Sequence, residues 1–356
     1  MAMFTQRFRQ LAPYVPGEQP QDRQYLKLNT NECPYPPAPP IAELLHRFDP
    51  SRLRLYPDPT MRRLREAIAA RHGLSAGQVF TGNGSDEVLS FCFYAFFGAD
   101  LGTLRFPALT YSFYPVYCDF YDIPYEKVPL TEAFEVDLDA LCGPGAAAAG
   151  IIFANPNAPT GHFWPPAPIA GMLERFRSDR VVVVDEAYVD FGGESVLPLL
   201  AAHPNLLIVR TLSKSSALAG LRVGYAMGHP DLVAALFAVK DGFNSYPLDT
   251  LAQEIGALAM GEEAYYKGIA ERIIATRTRF TAALGELGWQ VLPSRANFVF
   301  ARRPGVPGQT VYQALKTEGI LVRHFNPPEI ADFVRITIGT DPQMDRLLAA
   351  VARLWP

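Results

Sequence analysis

One lysine in the middle of the chain stands among small residues that could hold a phosphate beside it. The apolar run Leu206–Val209 predicts a buried strand, and the segment after it contains Ser213, Lys214 and Arg222. Small and apolar neighbours should partly shield the lysine from water, which favours the neutral amine that forms a Schiff base with an aldehyde. Ser213 and Arg222 are hydrogen-bond donors suited to a phosphate. On this stretch alone, a strand-to-loop turn with an incidental lysine explains the pattern equally well.

A pair of carboxylates ends a second predicted strand. Val181–Val184 is a continuous valine run, and Asp185 and Glu186 follow it. Ligands of doubly wound sheets bind outside the carboxyl ends of the strands, so an aspartate there could keep a proton on a heterocyclic nitrogen. Two adjacent acids could also bind a metal ion, but no histidine or third acid stands at ligand spacing, and we predict no metal site. Simple solvation of the strand end is the less favoured interpretation.

Two further turns follow predicted strands. Gly82–Asp86 lies between the short strand Val79–Thr81 and a helix expected to begin near Ser85. Its glycines allow close backbone approach and the first turn of a helix binds anions well, so a phosphate cradle and an ordinary tight turn are both open. The glycine spacing fits neither a P-loop nor the dinucleotide fingerprint. Asn155–Gly161 follows the predicted strand Ile151–Ala154 and contains two asparagines. Their amides could donate hydrogen bonds to a ligand, or the segment could be a rigid turn and nothing more.

The elements that must position these residues alternate between apolar strands and helical segments. Continuous Val, Ile and Leu runs are typical of a parallel sheet that is covered on both faces. We therefore predict an α/β fold with a large, doubly wound, mostly parallel sheet domain and a smaller α+β domain. The strands expected in the large domain are Thr103–Phe106, Ile151–Ala154, Val181–Val184 and Leu206–Val209. The small domain is expected to contain the strands Asn297–Ala301, Ile320–Val322 and Phe333–Ile338 and the helix Thr310–Thr317.

The same patterns predict the domain boundaries. Residues 1–40 would form an N-terminal arm partly packed with the small domain, 41–248 the large domain, 249–287 a long connecting helical segment and 288–356 the small domain. Near the start of the large domain, the spacing predicts an amphipathic helix over Thr60–His72, capped by Thr60 and ended by Gly73.

Composition argues against several classes of function. The 356 residues are 49% hydrophobic, carry a net charge of -4 and contain no basic block, so neither nucleic-acid nor membrane binding is predicted. The apolar stretches are too short to span a bilayer, and residues 1–11 lack the apolar core of a secretory signal. The four cysteines show no metal-ligand spacing, and we expect reduced thiols in a cytoplasmic protein.

Together, the turns offer a lysine, a carboxylate, an amide and a phosphate cradle at strand ends. An aldehyde cofactor with a pyridine nitrogen, a phenolic oxygen and a phosphate requires this set. In this order the motifs resemble the fold-type I pyridoxal-phosphate aminotransferases and, among them, the histidinol-phosphate aminotransferase family. The resemblance covers nearly the whole chain and rests on Lys27–Glu32, Tyr56–Pro59, Gly82–Glu87, Asn155–Gly161, Val183–Tyr188, Thr211–Tyr225, Ser294–Phe298 and Arg335–Gly339.

The resemblance implies pyridoxal 5'-phosphate as the cofactor and a role for each matching position. Lys214 would form the Schiff base and move the substrate proton, and Asp185 would pair with the pyridinium nitrogen. The other implied cofactor contacts are Asn157 and Tyr188 at the phenolic oxygen, Tyr111 on the ring, and Gly84, Ser85, Asp86, Ser213 and Arg222 around the phosphate. The implied substrate contacts are Arg335 at an α-carboxylate and Arg323, Tyr14 and Asn29 at the distal anionic group. Tyr56 would reach the phosphate in the neighbouring subunit, which implies a homodimer.

The implied activity is reversible transamination between L-histidinol phosphate and 2-oxoglutarate, a step of histidine biosynthesis. Three alternatives stay open: an aromatic amino-acid aminotransferase, a pyridoxal-phosphate decarboxylase of a phosphorylated amino acid, and a non-catalytic binding module. The chain departs from the family at Cys33, Ala158 and Ser215–Ala217, where Asn, Asn and Ala-Phe-Gly are more usual. We expect none of these positions to touch the reacting atoms.

Overall fold

Strands and helices alternate along most of the chain. The structure, a computed structural model, describes residues 3–5, 8–9, 11–14, 16–143 and 148–356. Of the predicted N-terminal arm, residues 1–2, 6–7, 10 and 15 lie outside these ranges. Its strands are β1 Leu26–Lys27, β2 Val79–Asn83, β3 Thr103–Pro107, β4 Tyr125–Val128, β5 Ala148–Ala154, β6 Val182–Asp185, β7 Leu206–Thr211, β8 Val223–Gly228, β9 Gln290–Val291, β10 Phe298–Arg302, β11 Ile320–Leu321, β12 Arg323–His324 and β13 Val334–Thr337. Its α-helices are α1 Pro39–Arg47, α2 Arg62–His72, α3 Gly84–Phe96, α4 Phe113–Tyr121, α5 Leu138–Cys142, α6 Pro166–Arg175, α7 Pro230–Phe243, α8 Thr250–Gly261, α9 Glu263–Glu286, α10 Gly308–Thr317 and α11 Asp341–Leu354.

The large sheet has seven strands in the order β2-β8-β7-β6-β5-β3-β4. Only β8 runs against its neighbours, and the other paired strands of this sheet are parallel. Alternate residues of β7 belong to different apolar cores: Leu206 and Ile208 pack on one face, and Leu207 and Val209 on the other. Both faces are therefore covered, which explains the unbroken apolar runs. The predicted α/β fold with a mostly parallel sheet is confirmed.

A smaller antiparallel sheet follows the helical segment, with the strand order β12-β13-β10-β9. The N-terminal part of the chain joins this region, because β1 pairs in parallel with β11 and places Leu26 opposite Ile320. Helix α11 packs its buried residues Met344, Leu347 and Val351 into the same apolar core. The N-terminal part stays with the second region as far as Asn31, because Leu28 N donates to Leu321 O and Asn31 N donates to Thr337 Oγ1. The chain returns to this region after the large sheet is complete.

Helix α2 begins two residues later than predicted, and Thr60 does not cap it. Asp58 accepts hydrogen bonds from the backbone N–H groups of Thr60 at 2.8 Å and Arg62 at 2.9 Å. A carboxylate is favoured at this end because the first N–H groups of a helix have no internal partner. The predicted end is correct, since Gly73 follows the helix in the left-handed region with φ 67°.

Two strands of the large sheet and one helix boundary were not predicted. The edge strand β4 exposes Glu126 and Lys127, so its sequence lacks an apolar run. Strand β8 contains Gly224 and lies next to the lysine segment, where the polar motif obscures it. The helical segment 249–287 consists of two helices that meet at Glu262. The division into four segments stays a prediction.

Helix α9, the longest, has 24 residues, but charged side chains recur along it. Within the described ranges, no helix combines the length and the apolar composition that crossing a bilayer demands. The cytoplasmic location stays a prediction from the sequence.

Candidate active site

The predicted site residues meet at one edge of the large sheet. The parallel strands β2 to β7 all end at this edge, and the reversed strand β8 begins there. The loops that follow these strands enclose a cavity of about 330 Å³. The predicted residues that line it are Ser85, Asp86, Tyr111, Asp185, Tyr188, Ser213, Lys214 and Arg222.

Lys214 projects into the cavity from the turn between β7 and β8. A hydrogen bond from Leu212 N to Val223 O, 3.0 Å long, closes the turn at its base. The Nζ of Lys214 donates to the carbonyl oxygen of Thr30 at 3.3 Å and lies 5.8 Å from the centroid of the Tyr188 ring. Among the described residues no carboxylate forms an ion pair with this amine. The amine is therefore oriented by a neutral acceptor and a ring face.

Asp185 ends β6 and is only 4% exposed. Its carboxylate accepts hydrogen bonds from Ala187 N and Tyr114 Oη, each 3.1 Å long. Burial raises the pKa of Asp185 to about 6, and these two hydrogen bonds offset part of the effect. A cation against the carboxylate would favour its charged form. The neighbouring Glu186 turns away to accept from Ser195 Oγ at 2.7 Å, so the two adjacent acids do not converge as metal ligands.

One corner of the cavity concentrates donors for an anion. Arg222 Nη1 donates to Ser213 Oγ at 3.4 Å, and Nη2 pairs with Asp86 Oδ2 at 3.1 Å. Helix α3 begins here at Gly84, whose φ is +79° and whose added Cβ would lie 2.4 Å from Arg222 Nη2. A Cβ on Gly224 would lie 2.3 Å from the backbone of Gly84, so β8 approaches the helix start very closely. A guanidinium, hydroxyls and the first N–H groups of a helix together suit a phosphate.

Tyr111 and Asn157 occupy different positions relative to the cavity. The Tyr111 side chain lines it, and its hydroxyl donates to Asp86 Oδ1 at 2.6 Å. Asn157 is fully buried, and its Nδ2 donates to Leu109 O at 2.9 Å and to Thr160 Oγ1 at 3.1 Å. In this arrangement the amide joins the loops that follow β3 and β5. Its contact with a phenolic oxygen stays a prediction.

The departure at Ala158 lies at the site. Ala158 lines the cavity beside Lys214 and packs with Ala296 and Phe298. Lining the cavity does not test the expectation that none of the unusual positions touches the reacting atoms, and that expectation stays a prediction. It contributes a methyl group to the wall where the family more often has an amide.

A second cavity of about 430 Å³ adjoins the first and shares Lys214 and Tyr188 with it. Arg335 faces it; the Nη2 of this residue donates to Asn29 O at 3.2 Å, and its buried Nε has no hydrogen-bond partner. Burial lowers the pKa of Arg335, and the like charge of Arg323 lowers it further. No carboxylate of the described chain lies at ion-pair distance from Arg335. The predicted substrate residues Tyr14, Asn29, Arg323 and Arg335 all line this cavity.

The N-terminal segment forms one wall of the second cavity. Tyr14 packs on Phe113 of helix α4, with the ring centroids 4.5 Å apart. The carbonyl oxygen of Pro16 accepts from Arg323 Nη1 at 3.2 Å, and that of Glu18 accepts from Asn29 Nδ2 at 2.7 Å. The segment therefore connects the two regions of the fold above the lysine.

Tyr56 lies apart from both cavities. Its side chain is 83% exposed and stacks on Tyr246, with centroids 4.7 Å apart and an interplanar angle of 23°. It lines a separate depression of about 280 Å³ beside helix α8. Leu53 and Leu55 nearby are also exposed. Within a single chain, Tyr56 is thus not a wall of the lysine cavity.

Three residues of the site were not predicted. Thr30 provides the acceptor for Lys214, and Asn31, in the left-handed region at φ 56°, donates from Nδ2 to Tyr188 Oη at 2.9 Å. Both lie in Lys27–Glu32, a motif on which the family resemblance rests, but the sequence predicts no role for either residue. Tyr114, the donor to Asp185, sits in an aromatic helix where the sequence marks no position as polar.

A buried aspartate, a lysine and an anion corner at the carboxyl edge of an α/β sheet define the class of protein. The chain belongs to the class I and II aminotransferases, whose family model matches residues 23–351. Its relatives include the histidinol-phosphate aminotransferase of Syntrophus aciditrophicus, 54% identical over 99% of this chain and 98% of that protein. Another is the histidinol-phosphate aminotransferase 2 of Thiobacillus denitrificans, 54% identical over 97% of this chain and 95% of that protein.

Solved structures show the same fold. The crystal structure of histidinol-phosphate aminotransferase from Sinorhizobium meliloti in complex with pyridoxal-5'-phosphate superposes with a TM-score of 0.89. The two chains are 24% identical, and the match covers 100% of this chain and 99% of that chain. The agreement extends over both regions of the molecule.

Proposed function

We propose that this chain is a pyridoxal-phosphate-dependent aminotransferase that exchanges an amino group between L-histidinol phosphate and 2-oxoglutarate. The observation that carries the proposal is the meeting of Lys214, Asp185 and Arg222 in one cavity, which adjoins the cavity of Arg335. Full-length relatives that are 54% identical and bear the name histidinol-phosphate aminotransferase support the choice of substrates.

The donors and acceptors of the first cavity fit pyridoxal phosphate. Arg222, Ser213 and the N–H groups at the start of α3 would hold the phosphate, and Tyr111 would lie against the ring. The buried Asp185 would face the pyridinium nitrogen, whose charge compensates the cost of burying the carboxylate. When bound, the cofactor supplies the electron sink for the charge that develops when the substrate loses its α proton.

Lys214 has two tasks in the proposed reaction. Its amine would first hold the cofactor through the aldehyde carbon and, once released, would carry a proton to and from the substrate Cα. The Thr30 carbonyl and the Tyr188 ring confine the amine without adding a negative charge beside it. The lysine can thus act as a base when neutral and as an acid when protonated.

The second cavity would hold the anionic ends of the substrates. Arg335 is a buried cation with an unused donor, a costly arrangement that an incoming carboxylate relieves. We assign it to the α-carboxylate of glutamate or 2-oxoglutarate. Arg323, with Tyr14 and Asn29, would contact the distal group, which is a phosphate in one substrate and a carboxylate in the other. Guanidinium groups suit both because they bind either anion through two donors.

Specificity constants of the purified protein test the proposal. Histidinol phosphate, phenylalanine, tyrosine and aspartate would each be assayed with 2-oxoglutarate. We expect ping-pong kinetics and a preference for histidinol phosphate. A preference for phenylalanine of about tenfold, about 1.4 kcal/mol, would instead identify an aromatic aminotransferase. Release of carbon dioxide without exchange of glutamate would identify a decarboxylase, and absence of any bound cofactor would identify a non-catalytic module.

Replacing Arg335 with glutamine should separate the two substrates. Only 2-oxoglutarate carries an α-carboxylate, so we expect its KM to rise about 100-fold, a loss of about 2.7 kcal/mol of binding, while the KM for histidinol phosphate changes severalfold at most. The matched variant Arg323→Gln should raise both KM values, because both substrates carry a distal anion. Equal losses for both substrates in Arg335→Gln would contradict the assignment.

We also propose a homodimer in which Tyr56 of each subunit completes the phosphate site of the other. Tyr56, Leu53 and Leu55 are exposed and line neither the lysine cavity nor the adjoining one of their own chain, which supports this arrangement. Tyr56→Phe should weaken cofactor binding about tenfold through the loss of one hydrogen bond to a charged group. The test is a hybrid dimer of one Tyr56→Phe subunit and one Lys214→Ala subunit. If Tyr56 acts across the interface, the site of the Tyr56→Phe subunit has both wild-type residues and should bind the cofactor with wild-type affinity. A hybrid without such a site would place Tyr56 on its own subunit's cofactor.

A further inference from the structure

A continuous set of polar contacts runs from the residue after Lys214 to the residue after Asp185. Ser215 Oγ donates to Asp190 Oδ2, and Asp190 Oδ1 accepts from Arg210 Nη2 at 2.6 Å. Arg210 Nε lies 3.6 Å from Glu186 Oε2, whose oxygens also accept from the loop that follows. The contacts therefore connect the turn that carries Lys214 (the lysine turn), β7 and the end of β6. They lie on the side away from the first cavity, which would hold the cofactor (the cofactor cavity).

These groups are charged, and their burial differs. The Arg210 side chain is 10% exposed and that of Glu186 is fully buried, whereas the Asp190 side chain is 41% exposed. Burial by itself would raise the pKa of Asp190, but the Arg210 charge, the Ser215 hydrogen bond and the more distant charge of Arg71 outweigh it and hold the pKa below its ordinary range. Arg210 and Glu186 are buried ionic groups and keep their geometry, because separating one from the other leaves a buried charge without compensation.

The exposed part of Asp190 opens into a third cavity. This cavity, of about 370 Å³, lies behind the lysine turn, and Ser215 and Ser216 line it together with Asp190. Leu212 and Leu218 of the turn are buried in the apolar core, and Ser215 Oγ adds a hydrogen bond to Asp190. The hydroxyl of Ser215 thus connects the turn directly to the charged groups Asp190, Arg210 and Glu186.

We infer that Ser215 is a positioning residue for Lys214: its hydrogen bond to Asp190 fixes the lysine turn relative to the strand that carries Asp185. The inference rests on the proposed function, since Lys214 and Asp185 must contact one cofactor at two points. Ser215 lines the third cavity and not the cofactor cavity, so it acts through the turn and touches no reacting atom.

Ser215→Ala tests the inference, and Ser216→Ala is its matched control. Each change removes one serine hydroxyl from the wall of the same cavity, at adjacent positions. Within the described chain, the Ser216 side chain makes no hydrogen bond. We expect Ser215→Ala to lower kcat about fivefold, or about 1 kcal/mol, with little change in KM, because the turn loosens while the substrate contacts remain. Ser216→Ala should match the wild type, and Ser215→Thr should restore most of the loss.

Absorbance of the Lys214-linked cofactor gives a readout that does not depend on turnover. Without the Ser215 hydroxyl the Asp190 charge is less compensated, so the pH midpoint of that absorbance should rise by about half a unit, about 0.7 kcal/mol. The same shift should follow when Ser215→Ala is combined with Ser216→Ala. In an Asp190→Asn background the effect of Ser215→Ala should largely disappear, as expected of coupled groups.

Three outcomes would overturn the inference. If Ser215→Ala and Ser216→Ala gave the same kcat and the same absorbance midpoint in an active enzyme, Ser215 would have no positioning role and the proposed function would stand. If Ser215→Thr failed to restore kcat, packing and not the hydroxyl would explain the loss. A wild-type protein that bound no cofactor would overturn the proposed function and this inference together.

Discussion

Lys214→Ala is expected to lower kcat by at least about 10⁴-fold, about 5.5 kcal/mol of transition-state stabilisation. In the proposed reaction, the variant would lose both the covalent attachment of the cofactor and the group that moves the substrate proton. The side chain makes one hydrogen bond, to Thr30 O, and no ion pair among the described residues, so its removal should leave the fold intact. Steady-state and single-turnover kinetics would measure the loss, and the characteristic absorbance of a lysine-bound cofactor should vanish.

The matched control for this variant is Lys127→Ala. Lys127 lies exposed on the edge strand β4, far along the sheet order from β7. Its removal should change neither kcat nor the absorbance. If Lys214→Ala kept more than about one per cent of wild-type kcat, a different residue would have to move the proton.

Asp185→Asn is expected to have the second largest effect, lowering kcat about 10³-fold, or about 4 kcal/mol. A neutral amide cannot compensate the charge of a protonated pyridine nitrogen, so the cofactor becomes a poorer electron sink. The amide is nearly the same size as the carboxylate and can still accept a hydrogen bond from Ala187 or Tyr114. Kinetics at saturating cofactor would separate this loss from weaker cofactor binding.

The same variant should be more stable than the wild type when both lack cofactor. The pKa of Asp185 rises from an ordinary 3.8 to about 6 in the folded protein, so the folded state binds the proton more tightly than the unfolded state. Wild-type stability therefore falls between about pH 4 and pH 6, by about 3 kcal/mol at most, and the deficit persists above that range. Asparagine does not ionise and escapes the loss.

Urea unfolding of the two cofactor-free proteins across this pH range would measure the effect. The difference in unfolding free energy should grow as the pH rises from about 4 to about 6 and then stay constant. Leu207→Ala, a cavity-forming change in the sheet core, serves as a control because it should give a difference that does not depend on pH. A constant difference for Asp185→Asn would show that the buried carboxylate is not destabilising.

The sequence predicts the buried strands and the edge where they end, because both depend on local patterns. Val181–Val184 and Leu206–Val209 are uniform apolar runs, and the polar residues that follow them converge for a topological reason. Apolar runs do not predict strands β4 and β8. Strand β4 exposes polar residues, and strand β8 contains glycines that are required by close packing. The cap at Asp58 was missed because the chain makes a turn that brings an earlier carboxylate to the helix start.

Contacts between distant segments could not be predicted from a pattern. The acceptor for Lys214 is Thr30, nearly two hundred positions earlier, and only the fold brings the two together. The Asn157 amide looked available at a strand end, but its donors are used by Leu109 and Thr160 on adjacent loops. The sequence marks Ser215 only as a departure from the family, whereas its partner Asp190 lies on a different segment. Side-chain partners, unlike strand ends, depend on the three-dimensional packing.

The reversed direction of β8 has a mechanical consequence. Lys214 and Arg222 stand on one short turn that is closed by the hydrogen bond from Leu212 to Val223, whereas Asp185 stands on a separate strand. A shift of that turn would carry the amine and the guanidinium together and keep their spacing constant. The aldehyde carbon and the phosphate of a bound cofactor would then move together. The distance from the ring nitrogen to Asp185 would change instead.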